Sequence, residues 1–237
     1  MQNRPIATVS NLALLLAALI SFPFLLRYSG ALPPATAGST SPQHTVEFLH
    51  FSFTVTSFLW LCFAIAFFGI RRHGTVKWQE LLGRPWSSGI SIAKDSCAAV
   101  LTLLTLAIVG NLGNSLLGPY QHDSAALRWM VAQNGREAAA FLVLALTAGF
   151  VEEFVFRGYL QRQFTAMFGN VFLASVLQVA IFTLGHFYQG WLRLLPVALI
   201  GTVLTVAALA RKSLVPGMIA HGLGDGLVSF LYLAKHL

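Results

Sequence analysis

The chain has 237 residues, of which 56% are hydrophobic and only 10% charged, with mean hydropathy +0.71. A soluble domain carries about 25% charged residues, so the composition excludes a soluble globular protein and describes a multi-span membrane protein. The formal net charge is +7, but the basic residues cluster in short loops, which fits membrane topology better than nucleic-acid binding.

Apolar runs mark seven spans (six to eight with the weaker ones counted differently), each of roughly the 20 residues a bilayer demands. In chain order they are 6–26, 46–70, 96–117, 138–158, 170–188, 192–210 and 214–234. The fold class expected is all-α, a polytopic transmembrane helical bundle. The first run is long enough to span and reads as a retained helix, not a signal peptide, despite the small residues from Ala31 to Ala37. The stretch Pro33 to Pro42 is a linker by composition. The third span is weakened by Gly110, Asn111, Gly113 and Asn114, and the fourth contains two glutamates. The segment 71–95 carries Trp78 and Trp86 among basic residues, a composition suited to anionic headgroups or to an ordinary cytoplasmic loop. Cys62 and Cys97 lie in no CxxC and are expected as free buried thiols. Residues 1–137 carry no assignable motif, and 138–234 carry the chemistry.

The basic residues predict the orientation. With a cytoplasmic N-terminus, ten of the fifteen fall inside: Arg4, Arg71, Arg72, Lys77, Arg84, Lys94, Arg157, Arg162, Arg211 and Lys212. Arg27, Arg128, Arg136, Arg193 and Lys235 fall outside. Short loops and no targeting extension suit a prokaryotic inner membrane.

Three of the eight acidic residues fall inside spans: Glu152, Glu153 and Asp225. Ionisable groups at membrane depth are costly and mark functional sites. Glu153 and Arg157 stand at i and i+4, glutamate first, the favourable order for a helix ion pair. Glu152 is then left without a helical partner. A carboxylate without a partner in low-dielectric surroundings is a good general base for water. A polar staple between helices would use the same three residues. His186 ends an apolar run, and Gly185 before it leaves room for another backbone or a substrate. His221 and Asp225, at i and i+4, share one face of the last span. Gly217, Gly222, Gly224 and Gly226 keep that helix thin, for close packing or for substrate.

Two chemistries suit these groups. In one, Glu152 and His186 activate water toward a peptide carbonyl, and His221 with Asp225 holds the oxyanion. In the other, Glu152, His186, His221 and Asp225 supply ligands to one divalent metal, zinc being the best match, which activates the water. HExxH, GxSxG, Walker and dinucleotide motifs are absent. A non-catalytic immunity or partner-binding protein, or a proton-coupled transporter, would also use buried Glu and His.

The blocks Glu152-Glu153-Phe154-Val155-Phe156-Arg157, Phe182-Thr183-Leu184-Gly185-His186 and His221-Gly222-Leu223-Gly224-Asp225 resemble, in order, those of the CAAX-protease and bacteriocin-processing (Abi) family of intramembrane endopeptidases. The resemblance covers residues 138–234. It implies a helical bundle that cleaves a membrane-associated or lipidated peptide, by CAAX-type or bacteriocin-type processing. It implies that Glu152 and His186 activate water, that His221 and Asp225 form the oxyanion site, and that Glu153 and Arg157 support the geometry. Members are usually labelled metalloproteases. The partners implied are membrane lipid and a peptide, prenylated in the eukaryotic branch, and no nucleic acid. Asp225 departs from the asparagine of the prenyl-protein branch. An ionised carboxylate repels an oxyanion, so here it is protonated, binds metal or orients His221.

Overall fold

The computed structural model describes residues 4–28, 42–83, 86, 88–116, 129 and 132–236, with the backbone alone at 42, 78, 114 and 228–236. The expected linker at 33–41, Arg84, Arg128 and the side chains of Trp78 and Lys235 lie outside the described residues. The helices are α1 (Val9–Tyr28), α2 (Pro42–His73), α3 (Trp78–Leu82), α4 (Gly89–Leu116), α5 (Gly135–Glu152), a π-helical segment (Glu153–Leu160), α6 (Gln161–Phe168), α7 (Val171–Gly185), α8 (Leu194–Arg211) and α9 (Val215–His236). The seven expected spans fall on α1, α2, α4, the continuous stretch Gly135–Phe168, α7, α8 and α9. Among the described residues, Val9–Tyr28, Gln43–His73, Gly89–Gly113, Gly135–Phe168 and Trp191–Arg211 are long and apolar enough to cross a bilayer.

Side chains on the outside confirm the solvent. Phe53, Ile108 and Phe172 are 73%, 68% and 77% exposed. A water-soluble fold does not display such a girdle of large apolar groups. Inside, α9 packs on α5 and α4, α8 on α4 and α7, and α2 on α5. The third span is not broken at its Gly and Asn residues. Asn111 donates to the Ala107 carbonyl one turn back, and Gly113 lets α4 lie against Pro196 of α8.

The fifth span is shorter than expected. α7 has 15 residues, which at about 1.5 Å each rise only ~22 Å, less than the ~30 Å of a hydrocarbon core. It stops at Gly185, and two 3-10 turns, Phe187–Gln189 and Trp191–Arg193, carry the chain to α8. His186 thus sits at a helix break.

α9 and α5 approach backbone to backbone. A Cβ on Gly149 would lie 2.6 Å from the Gly222 nitrogen and 2.8 Å from the Met218 carbonyl oxygen. Gly217, Gly222, Gly224 and Gly226 all face packed neighbours, so these small residues serve helix packing. Gly149→Val should separate α5 from α9 and destabilise the protein by about 1–3 kcal/mol, the usual cost of overpacking. Thermal unfolding in detergent measures it, and an unchanged midpoint would contradict the close approach.

Several polar groups that cross between helices find partners there, as an apolar solvent favours. Tyr159 donates to Asn11 Oδ1 at 2.6 Å, and Asn11 donates to the Ile65 carbonyl, tying α1, α2 and the π-segment together. Gln163 Oε1 accepts from the Ile6 and Ala7 amides. Two further carboxylates are buried where the sequence reading expected three in all. Glu137 accepts from Thr45, Asn134, His44 and the Gln133 amide. Asp95 accepts from Arg211, Trp86 and Ser213. Both sets join segments distant in sequence and hold the bundle's ends.

In the basic stretch 71–95, Arg71, Arg72, Lys77 and Lys94 are exposed. α3 is tied to the α8–α9 turn by the Leu214 amide on the Leu82 carbonyl, and Arg162 donates to the Glu80 carbonyl. Both cysteines are free, but Cys97 is exposed and only Cys62 is buried. Position 97 lies on the outward face of α4, which corrects the expectation of two buried thiols.

Candidate functional site

The doubled glutamate stands where α5 becomes a π-helix. The Gln161 amide closes on the Phe156 carbonyl, five residues back. π-turns inside α-helices are rare and frequent at functional sites. Every residue from Glu153 to Leu160 is buried.

Glu153 Oε1 accepts from Arg157 Nη1 at 2.9 Å, so the expected ion pair is present. The same oxygen faces His221 Nδ1 at 3.2 Å. Arg157 is buried within the bundle, not at a membrane surface as the count of cytoplasmic cations assumed. Its other donors go to the Gly201 carbonyl at 2.9 Å and Thr205 Oγ1 at 3.4 Å on α8. Its guanidinium carbon lies 4.6 Å from the centre of the Phe182 ring, a cation–π contact. Gln178 of α7 donates to Thr205 at 2.6 Å. Thr205, Gly201 and Gln178 were invisible to sequence reasoning because no spacing links them to Arg157.

Glu152 is different. Its side chain is 12% exposed, where that of Glu153 is fully buried, and its Oε2, like Glu153 Oε2, has no hydrogen-bond partner. That oxygen lies 3.8 Å from His221 Nε2. His186 joins the site through Phe182, whose ring lies 4.7 Å from that of His186 and 6.3 Å from that of His221.

His221 is buried, with Nε2 3.4 Å from Asp225 Oδ2. The expected shared face of His221 and Asp225 is therefore present. Asp225 itself is half exposed, at the mouth of the site. Carboxylates face both ring nitrogens. One neutral tautomer can donate to Glu153 or to Asp225, and only the imidazolium donates to both.

His186 follows the last turn of α7, with φ −97° and ψ 8°. Its Nδ1 is 2.8 Å from the Phe182 carbonyl oxygen. A carbonyl only accepts, so Nδ1 carries the proton and Nε2 of the neutral ring is left as an acceptor. The ring lies 4.7 Å from that of Phe182 and 6.2 Å from that of Tyr188. No backbone approaches Gly185, whose Cβ position is open space. The six residues singled out in the sequence thus form one constellation from three helical stretches, with His221 linking Glu152, Glu153 and Asp225.

The donor chemistry of Glu152, His186, His221 and Asp225 suits a divalent ion, and Glu152 Oε2 is a buried orphan. Their placement does not fit one: among the described residues no three His, Cys, Asp or Glu side chains converge as a ligand set.

Residues 134–227 match the family model described as type II CAAX prenyl endopeptidase Rce1-like. The match covers less than half of the chain, and over it the segment is similar to that family. The match spans α5 to the first half of α9 and so contains all six residues of the constellation. It supports a membrane protease of the CAAX type. No curated protein and no solved structure matches the chain.

Proposed function

We propose that the chain is an intramembrane endopeptidase acting on a membrane-associated or lipidated peptide, with a prenylated C-terminal cysteine motif as the substrate to test first. The observation that carries this reading is Glu152 Oε2, buried without a hydrogen-bond partner 3.8 Å from His221 Nε2, inside an Rce1-like segment.

In the proposed reaction Glu152 takes a proton from water while His186 Nε2 accepts the water's other hydrogen and aims its oxygen. The hydroxide oxygen bonds to the peptide carbonyl carbon. The carbonyl oxygen becomes negative and is met by His221 Nε2–H. Glu152 then returns its proton to the amide nitrogen as the carbon–nitrogen bond breaks. Glu153 receives His221 Nδ1–H and fixes the ring, and Arg157 balances the buried Glu153 charge. Asp225 orients His221 from the site's mouth, since an ionised carboxylate accepts and cannot donate to an oxyanion.

Residues 138–234 form the catalytic core, and 1–137 its N-terminal helices. The N-terminus lies in the cytoplasm of a prokaryotic cell.

The test is hydrolysis of a quenched fluorescent peptide ending in a prenylated cysteine motif by purified protein in detergent, with and without a strong chelator. His186→Ala should lower turnover by about 10²-fold or more, the usual scale for a positioned acid–base group. Undiminished hydrolysis by His186→Ala would remove His186 from the reaction. No hydrolysis of prenylated or unprenylated membrane peptides by the wild type would overturn the protease reading. Loss of activity with the chelator would assign water activation to a metal.

A further inference from the structure

Tyr188 lies in the 3-10 turn directly after His186. Its ring stacks on His186 with an interplanar angle of 23° and meets Phe51 of α2 at 6.0 Å. His186 thus has the rings of both Phe182 and Tyr188 as neighbours. Tyr188 thus borders the site through its ring contact with His186. Gln189 Nε2 donates to the phenolic oxygen at 3.2 Å. That bond occupies a lone pair and leaves the phenolic hydrogen free to donate. A phenol ordinarily ionises at about pH 10, so it is a neutral donor across the working pH range.

The site is rich in acceptors and short of donors. Glu152, Glu153 and Asp225 only accept when ionised. His186 commits its Nδ1–H to the Phe182 carbonyl. His221 supplies one donor, and a developing oxyanion is best held by more than one.

We infer that Tyr188 is a further catalytic residue, whose phenolic O–H donates to the scissile carbonyl oxygen as it becomes an oxyanion, alongside His221. The inference rests on the protease reading above and adds the second donor to it.

Tyr188→Phe keeps the ring stack and removes only the donor. It should lower kcat by about 10²-fold, the scale for one oxyanion-hole donor, with KM within about twofold. The thermal midpoint should not move. Wild-type kcat in a folded Phe variant, or a rise in KM with kcat kept, would overturn the inference. A second variant carries 3-fluorotyrosine at 188, which retains the ring and the donor but deprotonates at lower pH. It should move the alkaline limb of kcat to lower pH, and an unmoved limb would overturn the inference even if Tyr188→Phe failed to fold. A wild type that cleaves while both variants match it refutes Tyr188 alone. A wild type that cleaves no peptide refutes the protease reading and this inference with it.

Discussion

Glu152→Gln should lower kcat by about 10²–10⁴-fold, the range for loss of a general base, and leave the thermal midpoint where it is. The glutamine has the size and shape of the glutamate and cannot take a proton from water. Glu152 Oε2 has no hydrogen-bond partner to lose, so the amide breaks no internal bond. What changes is the charge facing His221 at 3.8 Å. Loss of turnover with full stability separates a chemical carboxylate from a structural one. Glu137 is the contrast within the same chain. Both its oxygens are occupied, accepting from Thr45, Asn134, His44 and the Gln133 amide, so its replacement by glutamine should weaken the fold. Peptide hydrolysis and unfolding, measured on both variants, give the comparison. A Glu152→Gln protein with wild-type kcat would leave the base unassigned.

The distinction between these two glutamates was only half legible in the sequence. The pairs Glu153–Arg157 and His221–Asp225 could be read directly, because i,i+4 spacing places side chains together whatever surrounds the helix. Glu152 followed as the residue left over. Five of the spans were equally legible, since their apolar runs are long enough to dictate a crossing helix in lipid. The burial of Glu137 and Asp95 was not, because His44 and Arg211, their partners, are 93 and 116 residues away. Nor was the π-segment, which no propensity marks and which depends on the packing of eight fully buried residues. The early end of α7 also escaped the reading. Hydropathy continues past Gly185 through Phe187 and Tyr188, while the backbone has already turned. That turn is what sets Tyr188 against His186, which no periodicity in the sequence indicates.

Arg157→Leu should be the most damaging single change to the fold. It removes the cation from Glu153 and leaves a carboxylate of 0% exposure inside a membrane bundle. Breaking one side of a buried pair typically costs about 3–5 kcal/mol. The loss includes the bonds to Gly201 and Thr205 and the contact over Phe182, which together tie the π-segment to α8 and α7. Low yield of folded protein and a lowered thermal midpoint in detergent are the expected readouts. Glu153→Leu combined with Arg157→Leu removes both charges, and such replacements of buried ion pairs are often neutral or stabilising, so the double variant should recover most of the stability. It should not recover turnover. His221 Nδ1 faces Glu153 at 3.2 Å, and without that acceptor the ring is free to rotate away from Glu152. A double variant that folds and still hydrolyses peptide at the wild-type rate would mean that the ion pair serves the fold alone. A folded but slow one means that the pair positions the histidine, so that one buried charge contact supports both the helix packing and the geometry of the site.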